Sequence, residues 1–457
     1  MKIKRLIFGI LILSLLACNY VTQMVFPPTA TALPTSTATA SPTFTPEPLA
    51  PAYIPPECGT TPLATIAPEN ASRPAPIFET LEISQGEQMR ILRELADIVA
   101  DVYVYSDFNG KDWNEIETRY KNKIESGLDT ESFYREMDTM IRELGDEHSF
   151  FLSPVEVEES EAELKGEIEF VGVGISGQAD FERERMVVIS TYPGSPAEYA
   201  GIQHHDSILL VDGLPIREET GNRLRGPKCS AVVLTVQSPG EAPRDVMLIR
   251  YAIQGNIPID ARLISTTDGS KIGYIFIPSF FDETLPGQIK NALNEFGQLD
   301  GLILDVRLNG GGSSSVTYPI LEYFANGSLG QFVSRADSRP LTIDPNPIQN
   351  SQTVPLIVMV SEDTVSFGEI FAGVLKDSGR AKVVGETSLG NVEVLHGFDF
   401  EDGSQVWIAS ETFDSAFSDT DWEETGIIPD VHAFAEWDTF YFDTDPSIAA
   451  ALDLLGH

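Results

Sequence analysis

The strongest constraint on the fold comes from residues 253–457, which repeat strand-then-helix units. These are "KIGYIFIPSF", "LDGLILDVRLNGGGSS", "VPLIVMVSED", "AKVVGETS" and then "SQVWIASETF". Several are near-continuous apolar runs, the pattern of a strand buried on both faces. Followed by helical patterns, they predict a layered α/β core. In such cores chemistry collects at the carboxyl ends of strands. Two corners fall there: "RLNGGGSSS" after Asp305, and "SEDTVSFGE" around Ser366.

Each corner has a bland reading and a functional one. In Asn309–Gly312, "NGGG", glycines permit positive φ and close approach. Consecutive backbone N–H groups can then converge on an anion or a developing oxyanion; the bland reading is a flexible turn. The stretch lacks the GK[ST] of a P-loop, and no acidic residue is placed for a dinucleotide ribose. Ser366 opens a helical pattern, where most serines only cap. An unassisted serine is a poor nucleophile, so a catalytic role requires a base.

The 457 residues suffice for two or three domains. Residues 83–160 read as a helical part. In "TESFYREMDTMIREL" one face carries Phe133, Met137, Met140, Ile141 and Leu144, with Gly145 as the expected C-cap. His148 follows at the helix exit, and needs a partner before it counts as more than structural. Residues 166–252 alternate as short half-buried strands around "PGSPAEYAGI", a turn and one short helix, predicting a small β-rich binding or packing module. Net charge is −39, without a basic stripe to neutralise phosphates, so no nucleic acid is expected as a partner. The scattered acidic residues suit a well-solvated secreted surface.

The first eighteen residues read as a signal peptide. Lys2, Lys4 and Arg5 precede "LIFGILILSLLA", an apolar run too short to span a bilayer as a stable helix. "LLAC" resembles a bacterial lipobox, in which Cys18 would be lipidated and become the new N-terminus; an ordinary cleaved signal is the alternative. Residues 19–82 are rich in Thr and Pro and read as a disordered tether. Together they predict an extracytoplasmic protein, lipid-anchored at a bacterial cell surface or envelope. Cys58 and Cys229 are the other cysteines: one disulfide is allowed outside the cell, but no framework. There is no CxxC or HExxH signature, and neither a metal nor another cofactor is expected.

Taken together, the blocks resemble the C-terminal processing (tail-specific) serine peptidases. "EFVGVGIS…VISTYPGSPAEYAGIQHHDSILLVDGLPI" is similar to their PDZ domain. "GYIFIPSF", "LILDVRLNGGG", "VSEDTVSFGEIFAGVLKDSGRAKVVGE" and "GIIPDV" resemble successive blocks of their protease core. The likeness runs from about residue 84 to 435 and keeps the family's order. It implies a ClpP/crotonase-like layered α/β core with an inserted PDZ domain and an N-terminal helical part. Ser366 falls on the family's serine. The oxyanion hole would come from its own N–H or that of Phe367, with Gly311 or Gly312. Many members use a lysine base, in a segment like "TFGKG"; here the stretch is "TSLGNVEV", and Asn391 stands in the lysine's place. Asparagine accepts no proton at relevant pH.

The tricorn-like branch of that family uses histidine instead, and this chain carries "LGDEHS" and "EETGIIPD" like that branch. The resemblance implies His148 as base and Glu423 as its carboxylate, with Glu424 the adjacent competitor and His396 a rival base. Asp377 reads as structural, a helix-end partner for Arg380, and Asp305 and Arg307 as shapers of the core. The resemblance places PDZ peptide capture on the loop Phe170, Val171, Gly172, Val173 and Gly174, where a peptide adds a strand. His205 stands where such domains usually carry glycine, which makes packing or gating the alternative use. The expected activity is a serine endopeptidase acting on unfolded or C-terminally exposed polypeptides; the rival is a catalytically silent peptide-binding homologue.

Overall fold

The computed structural model describes residues 50–51, 53–59, 82–146, 148–164, 170–181, 183–217, 223–253 and 259–457. The signal peptide, Cys18 and most of the tether lie outside the described residues. No described helix is long and apolar enough to cross a membrane.

The core is a six-stranded sheet in the order Ala261–Ser265, Lys271–Phe276, Gly301–Asp305, Leu356–Val360, Lys382–Gly385, Val431–His432. The first pairing is antiparallel and the rest are parallel. Side chains alternate between two apolar layers. Ile275, Leu302, Leu304, Leu356, Val358, Val360 and Val383 face the helices Leu285–Phe296, Ser314–Phe324 and Phe367–Asp377. Ile272, Tyr274, Phe276, Ile303, Ile357, Met359 and Val384 face the C-terminal helix Pro446–Leu455, Trp437, Phe440 and Val187 of the inserted domain. Burial on both faces is why these strands read as unbroken apolar runs.

The "SQVWIASETF" run departs from expectation. Its strand, Gln405–Ser415, lies in a second, antiparallel sheet, between Phe150–Leu152 and Gly327–Val333, and also pairs with Val394–Asp399. Only residues 400–404 separate it from Val394–Asp399, and so short a connection makes an antiparallel neighbour; a parallel one needs a crossover. Its Val406, Ile408 and Ala409 pack under the N-terminal helices Gln85–Val102, Trp113–Glu125 and Thr130–Arg142. These helices start on side-chain caps at Ser84, Asp112 and Asp129. The third buries Phe133, Met137, Met140 and Ile141, and its C-cap is Glu143 rather than Gly145, which follows with φ +73°. The helical part is thus one layer of the peptidase core.

The inserted domain is a sheet ordered Ile175–Asp180, Arg185–Thr191, Ser207–Val211, Ala231–Gln237, Arg244–Ile249, around its own apolar cluster. Cys58 and Cys229 form a disulfide. The expectation of a disordered tether fails for residues 53–59. There the bond, an ion pair of Glu57 with Lys228 at 3.2 Å and a stack of Tyr53 on Tyr199 hold the segment to this domain.

The domain is fastened to the core. Arg183 makes paired bonds of 2.5 and 2.6 Å to Glu436, Arg185 pairs with Asp438, and Ser207 Oγ donates to Asp438 at 2.5 Å. Gln178 donates to Asp363, three residues before Ser366. His205 adopts φ +74° and buries its ring against Trp437 and Phe440, with Nδ1 2.7 Å from the Trp437 carbonyl oxygen. Burial, with His204 alongside, pushes its pKa down to about 3, so the ring is neutral at ordinary pH.

Arg185→Ala strands the nearly buried Asp438 carboxylate. A loss of about 1–3 kcal/mol is expected, read as a lower thermal midpoint and faster amide exchange in Arg185–Thr191.

Candidate active site

Ser366 sits between the buried strand Leu356–Val360 and the helix Phe367–Asp377, at φ +57° and ψ −125°. Positive φ in a non-glycine residue carries a strain of about 1–3 kcal/mol, and such corners cluster at functional sites. Ser366 is the N-cap of this helix, with Glu369 on the first turn accepting its N–H, so capping and a catalytic role can coexist at one residue. Its N–H is held twice, by the Asn391 carbonyl at 2.9 Å and by Glu369 Oε2 at 3.2 Å.

The glycine corner closes on the same hydroxyl. A Cβ on Gly311 (φ +96°) would stand 2.7 Å from Ser366 Cβ and 3.1 Å from its Oγ; one on Gly312 would fall 2.2 Å from the Phe280 carbonyl carbon. Both contacts are closer than any side chain allows. Of the expected oxyanion donors, Gly311 and Ser366 are excluded here, because Gly311 N–H donates to Asn309 Oδ1 at 2.9 Å and the serine N–H is taken. Among the described residues no acceptor meets the N–H of Gly312 or Phe367.

His148 is positioned by the turn before it. In "GDEHS", Asp146 Oδ1 accepts the N–H groups of His148 and Ser149, and Oδ2 accepts the Ser149 hydroxyl. Ser149 Oγ in turn accepts Ala409 N–H, fixing the turn to the second sheet. The ring faces a carboxylate that sequence reasoning missed. His148 Nδ1 lies 3.7 Å from Glu393 Oε2, and neither atom has another hydrogen-bond partner among the described residues. Glu393 Oε1 accepts the Tyr105 hydroxyl at 2.9 Å.

Glu423 stands behind Glu393 and not against the ring. Its Oε2 accepts Val392 N–H, on the residue before Glu393, at 2.7 Å, and the two carboxyls act on one another electrostatically. Burial, with the Glu393 charge alongside, pushes Glu423 up to about 9; burial works to raise Glu393 as well, but the neighbouring His148, Glu423 and Tyr105 side chains leave it below its ordinary value. Glu424 is exposed. His396 is occupied on its strand by Ser410. Asp377 does not pair with Arg380: it accepts the hydroxyls of Ser415 and Ser418, while Arg380 donates to the carbonyls of Phe324 and Ser351. Asp305 and Arg307 form a buried ion pair with Asp445.

Ser366 and His148 are not hydrogen-bonded to one another. A short bridge connects them: Asn391 accepts the serine N–H, and Glu393, two residues on, faces the imidazole. Two residue steps span at most about 7 Å. In the inserted domain the carbonyls of Val171, Val173 and Gly174 accept N–H groups from Gly226, Ala197 and Tyr192, and Phe170–Gly172 pairs with Tyr251–Ile253. Among the described residues no cluster suits a metal ion.

Residues 271–433 match the model of peptidase family S41, and residues 161–224 match that of the PDZ domain. A carboxyl-terminal-processing protease of Picosynechococcus is 31% identical over 400 residues, 83% of this chain and 92% of that protein. The chain belongs to this family. A Synechocystis protein of the same description is 28% identical over 81% of this chain and 87% of its own length. Among solved structures, a photosystem II D1 C-terminal processing protease superposes with a TM-score of 0.56 at 26% identity, covering 76% of this chain and 92% of that one. The protein is therefore a serine-type peptidase of family S41 with a PDZ domain and the layered core of that fold.

Two outcomes follow. Gly311→Ala pushes the Ser366 corner aside and lowers kcat/KM by about 10²-fold, measured on an unfolded polypeptide with the fold checked by circular dichroism. Glu423 is raised above its unfolded value, so its contribution to stability is complete below about pH 4.5 and lost as pH rises towards 9. Glu423→Gln flattens that decline in urea titrations across the window.

Proposed function

We propose that this chain is an endopeptidase of the extracytoplasmic side, anchored by lipid at Cys18, that cleaves unfolded or C-terminally exposed polypeptides through an acyl-enzyme on Ser366. The observation that carries the reading is the strained Ser366 corner, set against two glycines and two unpaired N–H groups at the start of a buried helix. His148 acts as the base, in the manner of the histidine branch. With Asn391 where a lysine would stand, no ammonium is available there.

In acylation, Ser366 Oγ attacks the scissile carbonyl carbon while its proton passes to His148 Nε2. The N–H groups of Gly312 and Phe367 receive the oxyanion. Collapse breaks the C–N bond, and the imidazolium returns the proton to the leaving amine. A water deprotonated by His148 then attacks the ester, releasing the new carboxyl end and restoring Ser366. The Glu393–Glu423 carboxyls balance the imidazolium charge. The Phe170–Gly174 loop of the PDZ domain receives the carboxyl end of the polypeptide.

One observation favours a silent peptide-binding homologue: the hydrogen bond between His148 and Ser366 is unmade. Such bonds are often long before substrate arrives and tighten in the Michaelis complex.

A fluorophosphonate probe on the purified full chain separates the readings. Wild type is expected to label, Ser366→Ala not at all, and His148→Ala at least about 10³-fold more slowly. Polypeptide hydrolysis unchanged in Ser366→Ala ends the proposal; loss of labelling in the serine variant alone assigns the base elsewhere.

A further inference from the structure

The family-like motif singles out Glu423, but the imidazole faces Glu393. Two buried atoms without other partners, His148 Nδ1 and Glu393 Oε2, stand 3.7 Å apart. Rotation of either side chain by a few tenths of an ångström to an ångström makes the hydrogen bond that both lack. The other carboxylates nearby are committed. Asp146 is engaged by two N–H groups and the Ser149 hydroxyl. Glu369 holds four donors of the serine corner. Among the described residues Glu423 forms no ion pair with the ring, and its Oε2 accepts Val392 N–H.

We propose that Glu393 is the positioning residue of the histidine, fixing its Nδ1–H tautomer, and that Glu423 serves as a neutral acid whose hydroxyl donates to Glu393, so that the pair carries one negative charge. The inference rests on His148 being the base.

Charge around the pair supports this division. Tyr105 donates to Glu393 from one side, and the Val392 N–H donates to Glu423 from the other. Tyr103 and Glu369 also face the pair electrostatically, and Asp146 lies on the turn that carries His148. Among the described residues no lysine or arginine forms an ion pair with either carboxyl, and the partner of Glu393 is His148 itself. Side-by-side carboxylates without such a cation share a proton. The member facing the imidazole keeps the charge, because imidazolium forms there during acylation and stabilises it.

The test compares Glu393→Gln and Glu423→Gln in the full chain, by pH profiles of kcat and KM on one unfolded polypeptide. In Glu393→Gln the amide presents no charge and can hold the wrong tautomer. A fall in kcat of about 10³–10⁴-fold is expected with KM little changed. Glutamine at 423 keeps a neutral donor, so kcat falls by less than about tenfold. It also loses the alkaline change in kcat/KM that wild type shows as Glu423 ionises. Glu393→Asp recovers part of the rate lost in Glu393→Gln, which a merely structural role would not give. A larger loss for Glu423→Gln than for Glu393→Gln, or an alkaline limb unmoved in Glu423→Gln, overturns the inference while leaving the base assignment standing. Full activity in His148→Ala overturns both.

Discussion

The buried carboxylate of Glu369 is the constraint on which the site depends. It is wholly inaccessible and lies on the first turn of the helix that Ser366 opens. It accepts four hydrogen bonds: Ser388 Oγ at 2.6 Å, Gly390 N–H at 2.8 Å, Asn391 N–H at 2.9 Å and Ser366 N–H at 3.2 Å. Burial raises its pKa, and the four bonds work against that rise. An anion in such a place is tolerable only with this set complete. The result is a clamp between the nucleophile's corner and the 388–391 loop, and the chain leaving the loop carries Glu393 to the imidazole. The clamp and the Asn391 carbonyl together hold Ser366 at its positive φ.

The inserted domain is held by the same economy of contacts. The central sheet leaves one apolar face to the C-terminal segment, and Val187 of the PDZ domain joins that layer. His205 explains how a bulky residue replaces the usual glycine. Its left-handed backbone is strained, and the buried ring, packed on Trp437 and Phe440 and bonded to a carbonyl, offsets the strain. The Gln178–Asp363 bond then puts the edge strand of the domain in direct contact with the loop that ends in Ser366.

Much of the fold was legible because its cause is periodic. Gly301–Asp305 and Leu356–Val360 are buried at every position, and a run buried on both faces leaves an unmistakable trace. Gln405–Ser415 was misassigned because apolar content alone does not say which sheet a strand joins; the short turn before it was the overlooked signal. Ser366, Gly312 and His148, which the proposed mechanism uses, were singled out by local motifs. Glu393 was not: it sits between Val392 and Val394, both buried, where alternation places an ordinary polar residue facing out. Its partners, Tyr105 and His148, lie more than 240 residues upstream, so no spacing exposes it. Asp377 was assigned to Arg380 by proximity in sequence, whereas tertiary packing gave it two hydroxyls and gave Arg380 two carbonyls.

The asparagine at 391 changes the electrostatics of the whole corner as well as removing a base. A lysine there would bring a positive charge beside Glu369, Glu393 and Glu423. In its absence the neutralising work falls to dipoles: three consecutive amides, of Gly390, Asn391 and Val392, donate into Glu369 and Glu423. Backbone dipoles stabilise a carboxylate less than a full cation does. Burial and the Glu393 charge push Glu423 up to about 9, which favours its neutral form. The proposed base, His148, then has Glu393 as a counter-charge on its Nδ1 side. In the proposed mechanism the histidine takes the base's role that an asparagine at 391 cannot fill.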